Sequence, residues 1–156
     1  MELPKIQNAE TSPAKPARTV RAYANIGEFL SAHGIKPTRQ RVAIATQMYE
    51  RDQHLSADAL LEKVNLDPAT TNVSKATIYN TLKIFVAQRI LRQVAIDPQK
   101  ILFDTNTYDH HHVLDLDTGD IRDIDPIQVD LSDHTGIKKE EKIHGVDLII
   151  TVRNSN

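Results

Sequence analysis

Ser74-Lys75-Ala76-Thr77-Ile78-Tyr79-Asn80-Thr81-Leu82-Lys83-Ile84-Phe85-Val86 is the stretch on which the fold turns. Ser74 is an N-cap residue, and Ile78, Leu82, Phe85 and Val86 follow at i, i+4, i+7 and i+8, one apolar face of a helix. The opposite face presents Ala76, Asn80 and Lys83, with Thr77 and Tyr79 towards the edges. The first turn offers hydroxyls, a cation and free backbone N–H groups to phosphates and base edges. Tyr79 offers a flat ring to thymine methyls, and Asn80 has the paired donor and acceptor that suit adenine. Any one of these side chains alone is equally a solvated helix face, and Tyr79 alone equally a partly buried core residue. Their neighbours decide the matter.

Three helices precede this one. Tyr23, Ile26, Phe29 and Leu30 mark the first, which Gly34 stops. Pro37-Thr38 opens the second, with Thr38 as N-cap and Val42, Ala45, Met48 and Tyr49 inward. Arg39 and Arg41 sit at its start, where two guanidiniums can straddle phosphates. Ser56 caps a third helix that Leu60, Leu61 and Val64 bury, and Asp58 in its first turn suits the helix dipole. After the fourth helix, Ile90–Ile96 and Ile101–Asp104 read as two strands joined through Asp97-Pro98-Gln99-Lys100. Helices followed by a hairpin with a basic turn give the order of a winged helix-turn-helix.

From Asp109 onward the pattern changes to strand (Val113–Leu116), turn (Asp117-Thr118-Gly119), strand (Ile121–Ile124), a short helix, and a final strand, Val146–Val152. The fold class expected is therefore α+β: a basic arm without order over 1–20, a winged-helix DNA-binding domain over 21–104, and a small α/β dimerisation domain over 105–156. Leu148, Ile149 and Ile150 give the last strand more apolar surface than one small sheet can hide, so a homodimer is expected on a near-palindromic double-stranded DNA site.

Charge supports this division. The net charge of −2 conceals 14 Lys+Arg against 9 Asp+Glu in residues 1–100, and 5 against 12 in residues 101–156. A basic half suits a polyanion and an acidic, histidine-bearing half suits a cation. There is no cysteine, which excludes disulfides, thiolate zinc sites and thiol redox sensing. No apolar run is long enough to span a bilayer, and the N-terminus carries no signal-peptide core, so a cytoplasmic protein without membrane attachment is expected.

Asp104, His110 and His112 are the chemical centre of the second half. On a strand over Asp109–Leu116, His110 and His112 point to one face and His111 to the other. Two imidazoles and a carboxylate without sulfur suit Fe²⁺ or Mn²⁺, with Zn²⁺ a third candidate. The same trio resembles the facial triad of a non-haem iron oxygenase, but four helices before the first strand leave too little chain for the barrel such an enzyme needs. A non-enzymatic protein is expected. As isolated residues, His33, His54 and His134 read as surface histidines.

Lys36-Pro37-Thr38-Arg39-Gln40-Arg41, His54-Leu55-Ser56-Ala57-Asp58-Ala59-Leu60, the helix from Ser74 to Leu82 and the histidine cluster together resemble the ferric uptake regulator superfamily over roughly residues 21–152. Within it, Ile90-Leu91-Arg92-Gln93-Val94 and Phe103-Asp104-Thr105-Asn106-Thr107 are similar to the iron response regulator (Irr) branch. The resemblance implies a transcription regulator, mostly a repressor, of iron and haem genes, with a peroxide-sensing repressor of the same superfamily as the alternative. It implies DNA contacts from Arg39, Arg41, Ser74, Lys75, Thr77, Tyr79, Asn80 and Lys83. It also implies a regulatory interdomain metal site of His54, Asp104, His110, His112 and Asp123, the last placed by its distance from Gly119. Asp109, His111, Asp130 and His144 match a second metal site, with Asp109 where the superfamily usually has histidine. The superfamily's CxxC zinc pairs are absent, Asp115 and Thr118 standing where one would be, and so is the Cys-Pro haem motif of some Irr proteins. Haem would therefore fall to His110, His111 or His112.

Overall fold

A computed structural model of the chain describes residues 20, 22–70, 72–97, 100–127, 136–138, 140–143 and 146–154. The expected N-terminal arm and most of the expected short helix after Ile124 lie outside them. The chain divides into two compact units, one within Ala14–Tyr108 and the other within Asp109–Asn156.

Among the described residues the first unit shows the helices α1 (Ile26–Ala32), α2 (Arg39–Met48), α3 (Ala57–Leu66) and α4 (Lys75–Ala87). Each begins at a side chain that accepts a backbone N–H of the first turn: Asn25 from Glu28, Thr38 from Arg41, Ser56 from Ala59 and Ser74 from Thr77. These caps satisfy donors that the helix itself leaves open. Gly34, at φ +71°, ends α1 in the left-handed region, and the Ile35 N–H then returns to the Leu30 carbonyl at 2.9 Å.

One apolar core runs through the unit, from Phe29 and Leu30 through Ile44, Met48, Leu60, Val64, Ile78, Leu82 and Phe85 to Leu91 and Phe103. Three strands, β1 (His54–Leu55), β2 (Arg92–Asp97) and β3 (Lys100–Asp104), form an antiparallel sheet in the order β1-β3-β2. Strand β2 starts two residues later than the apolar run suggested. Arg89 takes φ 57°, and the N–H groups of Ile90 and Leu91 turn back to the Phe85 carbonyl, so both side chains belong to the helix end and the core.

The second unit contains β4 (His111–Asp115), β5 (Ile121–Ile124) and β6 (Ile149–Val152) in the order β5-β4-β6. β4 and β5 form a hairpin whose turn needs Gly119 at φ +77°, and β6 lies parallel to β4. The final strand is shorter than Val146–Val152, and its Ile150 is exposed. No helix among the described residues is long and apolar enough to cross a membrane.

Candidate metal centre and nucleic-acid face

Among the described residues, imidazole and carboxylate groups gather in each unit. In the first, β1 places His54 opposite Asp104 of β3. A two-residue strand has no periodicity to read, so the sequence left His54 beside a helix cap, whereas its side chain is largely buried with Nε2 3.5 Å from Asp104 Oδ2. Asp104 is 1% exposed, and its Oδ1 accepts the Asn106 N–H at 2.7 Å, which fixes the carboxylate plane. Below it, burial and the Asp104 carboxylate together push the Tyr49 phenol well above its ordinary range, and the Tyr49 hydroxyl donates to the Ile90 carbonyl.

In the second unit, alternation and hairpin register do the work. His112 lies opposite Asp123 across β4 and β5, and His110 reaches the same side from just before the strand. The Nε2 atoms of His110 and His112 are 2.9 Å apart, and Asp123 Oδ1 lies 3.7 Å from the first and 3.9 Å from the second. Both imidazoles are buried, His112 to 1% exposure. His111 takes the other side, with Nε2 3.2 Å from the Ile127 carbonyl. Atoms bound at about 2.0–2.2 Å to one ion stand about 3–3.5 Å from one another. The nitrogen and carboxylate spacings fall close to that, so the residues fit a divalent cation of the Fe²⁺, Mn²⁺, Zn²⁺ group.

Of the four residues of the expected second site, only Asp109 and His111 are among the described residues. Asp109 is exposed and His111 buried, and Asp130 and His144 lie outside the described residues, as does His134. His33 corrects the surface assignment. It is partly buried, its Nδ1 is 2.8 Å from the Phe29 carbonyl, and its ring packs 4.6 Å from that of Phe29.

The exposed face of α4 carries Lys75, Ala76, Tyr79, Asn80 and Lys83, while Ile78, Thr81, Leu82 and Phe85 are buried. Tyr79 is 48% exposed, so the reading of it as a core tyrosine falls. A cleft of about 480 Å³ runs beside this face, lined among others by Tyr79, Asn80, Lys83, Lys100, Ile101 and Phe103. Ser74 Oγ accepts the Thr77 N–H at 3.1 Å and sits 2.9 Å from Thr77 Oγ1, so both hydroxyls meet at the helix start. Arg39 is exposed, whereas Arg41 is half-buried and its guanidinium donates to the Lys36 carbonyl at 3.1 Å. One participant escaped the sequence. Asp58 of α3 lies 2.7 Å from Lys75 Nζ, a pair seventeen residues apart that no local spacing announces.

Against known proteins, residues 32–151 match the profile of the ferric uptake regulator family. The peroxide-responsive repressor PerR of Staphylococcus epidermidis is 33% identical over 97 residues, which are 62% of this chain and 63% of that protein. Its counterpart in Staphylococcus aureus is 34% identical over 90 residues, 58% of this chain and 60% of that one. The matched region thus spans about three-fifths of these relatives' length. Among solved structures, the Vibrio cholerae ferric uptake regulator has a TM-score of 0.62 at 22% identity, over 83% of this chain and 100% of that one. The Pseudomonas aeruginosa ferric uptake regulator with manganese has a TM-score of 0.59 at 23% identity, over 86% and 100%. At such identities the likeness is one of fold.

Proposed function

The chain belongs to the ferric uptake regulator family, and from that premise we propose that it is a sequence-specific DNA-binding transcription regulator, acting as a homodimer, whose operator affinity is set by a divalent metal. The observation that carries the reading is the pair of ligand sets: His54 with Asp104 in the helical unit, and His110, His112 and Asp123 in the other. One cation taking donors from both sets fixes the angle between DNA-reading and dimerising units, and with it the spacing of two recognition helices. A cation that prefers one arrangement changes DNA affinity, and by linkage DNA changes cation affinity by the same factor.

On the DNA side, Arg39, Lys83 and the β2–β3 turn hold phosphates, and Ser74, Lys75 and Thr77 present the start of α4 to the backbone. Tyr79 and Asn80 read base edges. Arg41 contributes from its half-buried position. The second copy supplies the other half-site through the unit from Asp109 onward.

Iron or haem is the effector that the Irr-like segments favour, with haem on the His110-His111-His112 run. A specific observation supports a second reading: both curated relatives described above are peroxide-responsive repressors. The two readings part in one experiment. Protein loaded with Fe²⁺ without oxygen is treated with peroxide or with haem, and duplex retention and intact mass are followed. Release of DNA with one added oxygen on His54, His110 or His112 supports peroxide sensing. Release by haem without mass change supports the iron and haem role, and retention under every condition with and without metal refutes metal control.

A further inference from the structure

Lys75 occupies an unfavourable place. It is the first residue of α4, where the positive end of the helix dipole repels a cation, and that first turn carries no acid of its own. The compensation comes from another helix. Asp58, in the first turn of α3 and itself favoured by that helix's dipole, sets Oδ1 2.7 Å from Lys75 Nζ. The same ammonium lies 5.8 Å from the centre of the Tyr79 ring. Asp58, Tyr79, Asn80, Lys83 and Lys100 all line the cleft beside α4, so the carboxylate stands on the face that meets the duplex. The hydrogen bond from Lys75 to Asp58 also lifts the lysine above its ordinary pKa, which keeps it charged at every working pH.

We propose that Asp58 is a specificity-determining residue of the DNA face, holding Lys75 as a stand-in for phosphate until a matched duplex seats α4 and takes the lysine over. This rests on the DNA-binding reading of α4. Non-specific association draws essentially all its affinity from phosphate contacts and leaves the protein loosely seated. Arg39, Lys83 and Lys100 serve it, while Lys75, neutralised by Asp58, contributes nothing. In the seated complex, a phosphate held close at the helix start displaces Asp58, because the backbone N–H groups there add to the lysine's pull. The pair therefore lowers affinity for arbitrary DNA while leaving most of the operator affinity in place.

The test uses the full chain, a duplex of arbitrary sequence and an operator selected from a random pool, with affinity followed by fluorescence anisotropy over a salt series. Asp58→Asn keeps side-chain size, and the Ser56 cap of α3 is untouched; a melting curve equal to wild type verifies the fold. The expected result is an affinity for the arbitrary duplex about 1.4- to fivefold higher, the range that exposed ion pairs span. Its log–log salt slope is steeper by about 0.9, one phosphate contact, and the gain for the operator is smaller. In a Lys75→Met background the same substitution has little effect. An equal effect with and without Lys75 makes Asp58 a mere repulsive charge and overturns the proposal, as does no change in the arbitrary-duplex affinity. Wild-type protein that binds neither duplex, whether loaded with Mn²⁺ or metal-free, refutes the DNA-binding reading itself, a result distinct from either.

Discussion

Ser74 caps α4, the helix proposed to read DNA, and replacing it separates helix stability from the proposed DNA contact. Its backbone is extended, at φ −75° and ψ 156°, and its Oγ accepts the Thr77 N–H at 3.1 Å. No acid in the first turn supplements this cap, and Lys75 beside it opposes the dipole. Ser74→Ala leaves the Thr77 N–H to solvent and costs about 1 kcal/mol, whereas Ser74→Gly costs only a few tenths, roughly. For a unit of this size a loss of about 1 kcal/mol lowers the midpoint by about 4–8 °C. Ser74→Asp restores the cap and adds a favourable charge–dipole contact of about 0.3–1 kcal/mol. It also places a carboxylate where a DNA phosphate belongs, so it melts at or above wild type and binds duplex more weakly. Thermal melting and anisotropy on the same samples decide the case. An alanine variant that melts with wild type, together with an aspartate variant that binds duplex as tightly as wild type, refutes both roles.

Arg39→Ala weakens binding to all duplexes by a similar factor and flattens the salt slope, while Tyr79→Ala mainly erodes the ratio between operator and arbitrary DNA; equal loss of specificity in both contradicts the division of roles. Sedimentation at micromolar concentration shows a dimer, and a monomer there removes the two-half-site account. The Tyr49 phenol is held protonated in the fold, first by burial and then by Asp104, while the unfolded chain ionises near the ordinary value of about 10. The folded state therefore keeps a proton that the unfolded one loses, so this contribution to stability is intact below about pH 10 and declines above it, by up to about 1.4 kcal/mol per pH unit. Tyr49→Phe lacks the component, and denaturation curves whose alkaline decline is the same for both proteins contradict it.

Local signals were readable and paired ones were not. Thr38, Ser56 and Ser74 are caps because a single side chain and the three residues after it settle the matter, and the structure bears out all three. The alternation that put His110 and His112 on one side needs only a strand, and the Gly119 turn brings Asp123 opposite His112 by register. The four buried faces were legible in outline, although Ile44, which the sequence reading passed over, is buried in α2 while Val42 is only partly so. β1 was invisible because two residues carry no period, so the contact of His54 with Asp104 came from resemblance rather than from pattern. The Asp58–Lys75 pair joins two helices, and the His33 ring is sheltered by Tyr23 and Phe29, neither of which residue spacing reveals.

In the proposed mechanism one metal takes donors from both units and so sets DNA affinity. The deciding experiment is the duplex affinity of wild type and of His54→Ala, each with and without Mn²⁺ and oxygen-free Fe²⁺. His54 is not one of the residues assigned to DNA contact and lies outside the unit that begins at Asp109, but its side chain is buried against Asp104, so a melting curve and sedimentation first verify that His54→Ala keeps its fold and its dimer. Metal is expected to shift wild-type affinity by about 5- to 150-fold, the usual span of an allosteric coupling, and His54→Ala to bind the duplex with the metal-free affinity under every condition. A His54→Ala protein that retains the full wild-type response to both metals contradicts the mechanism.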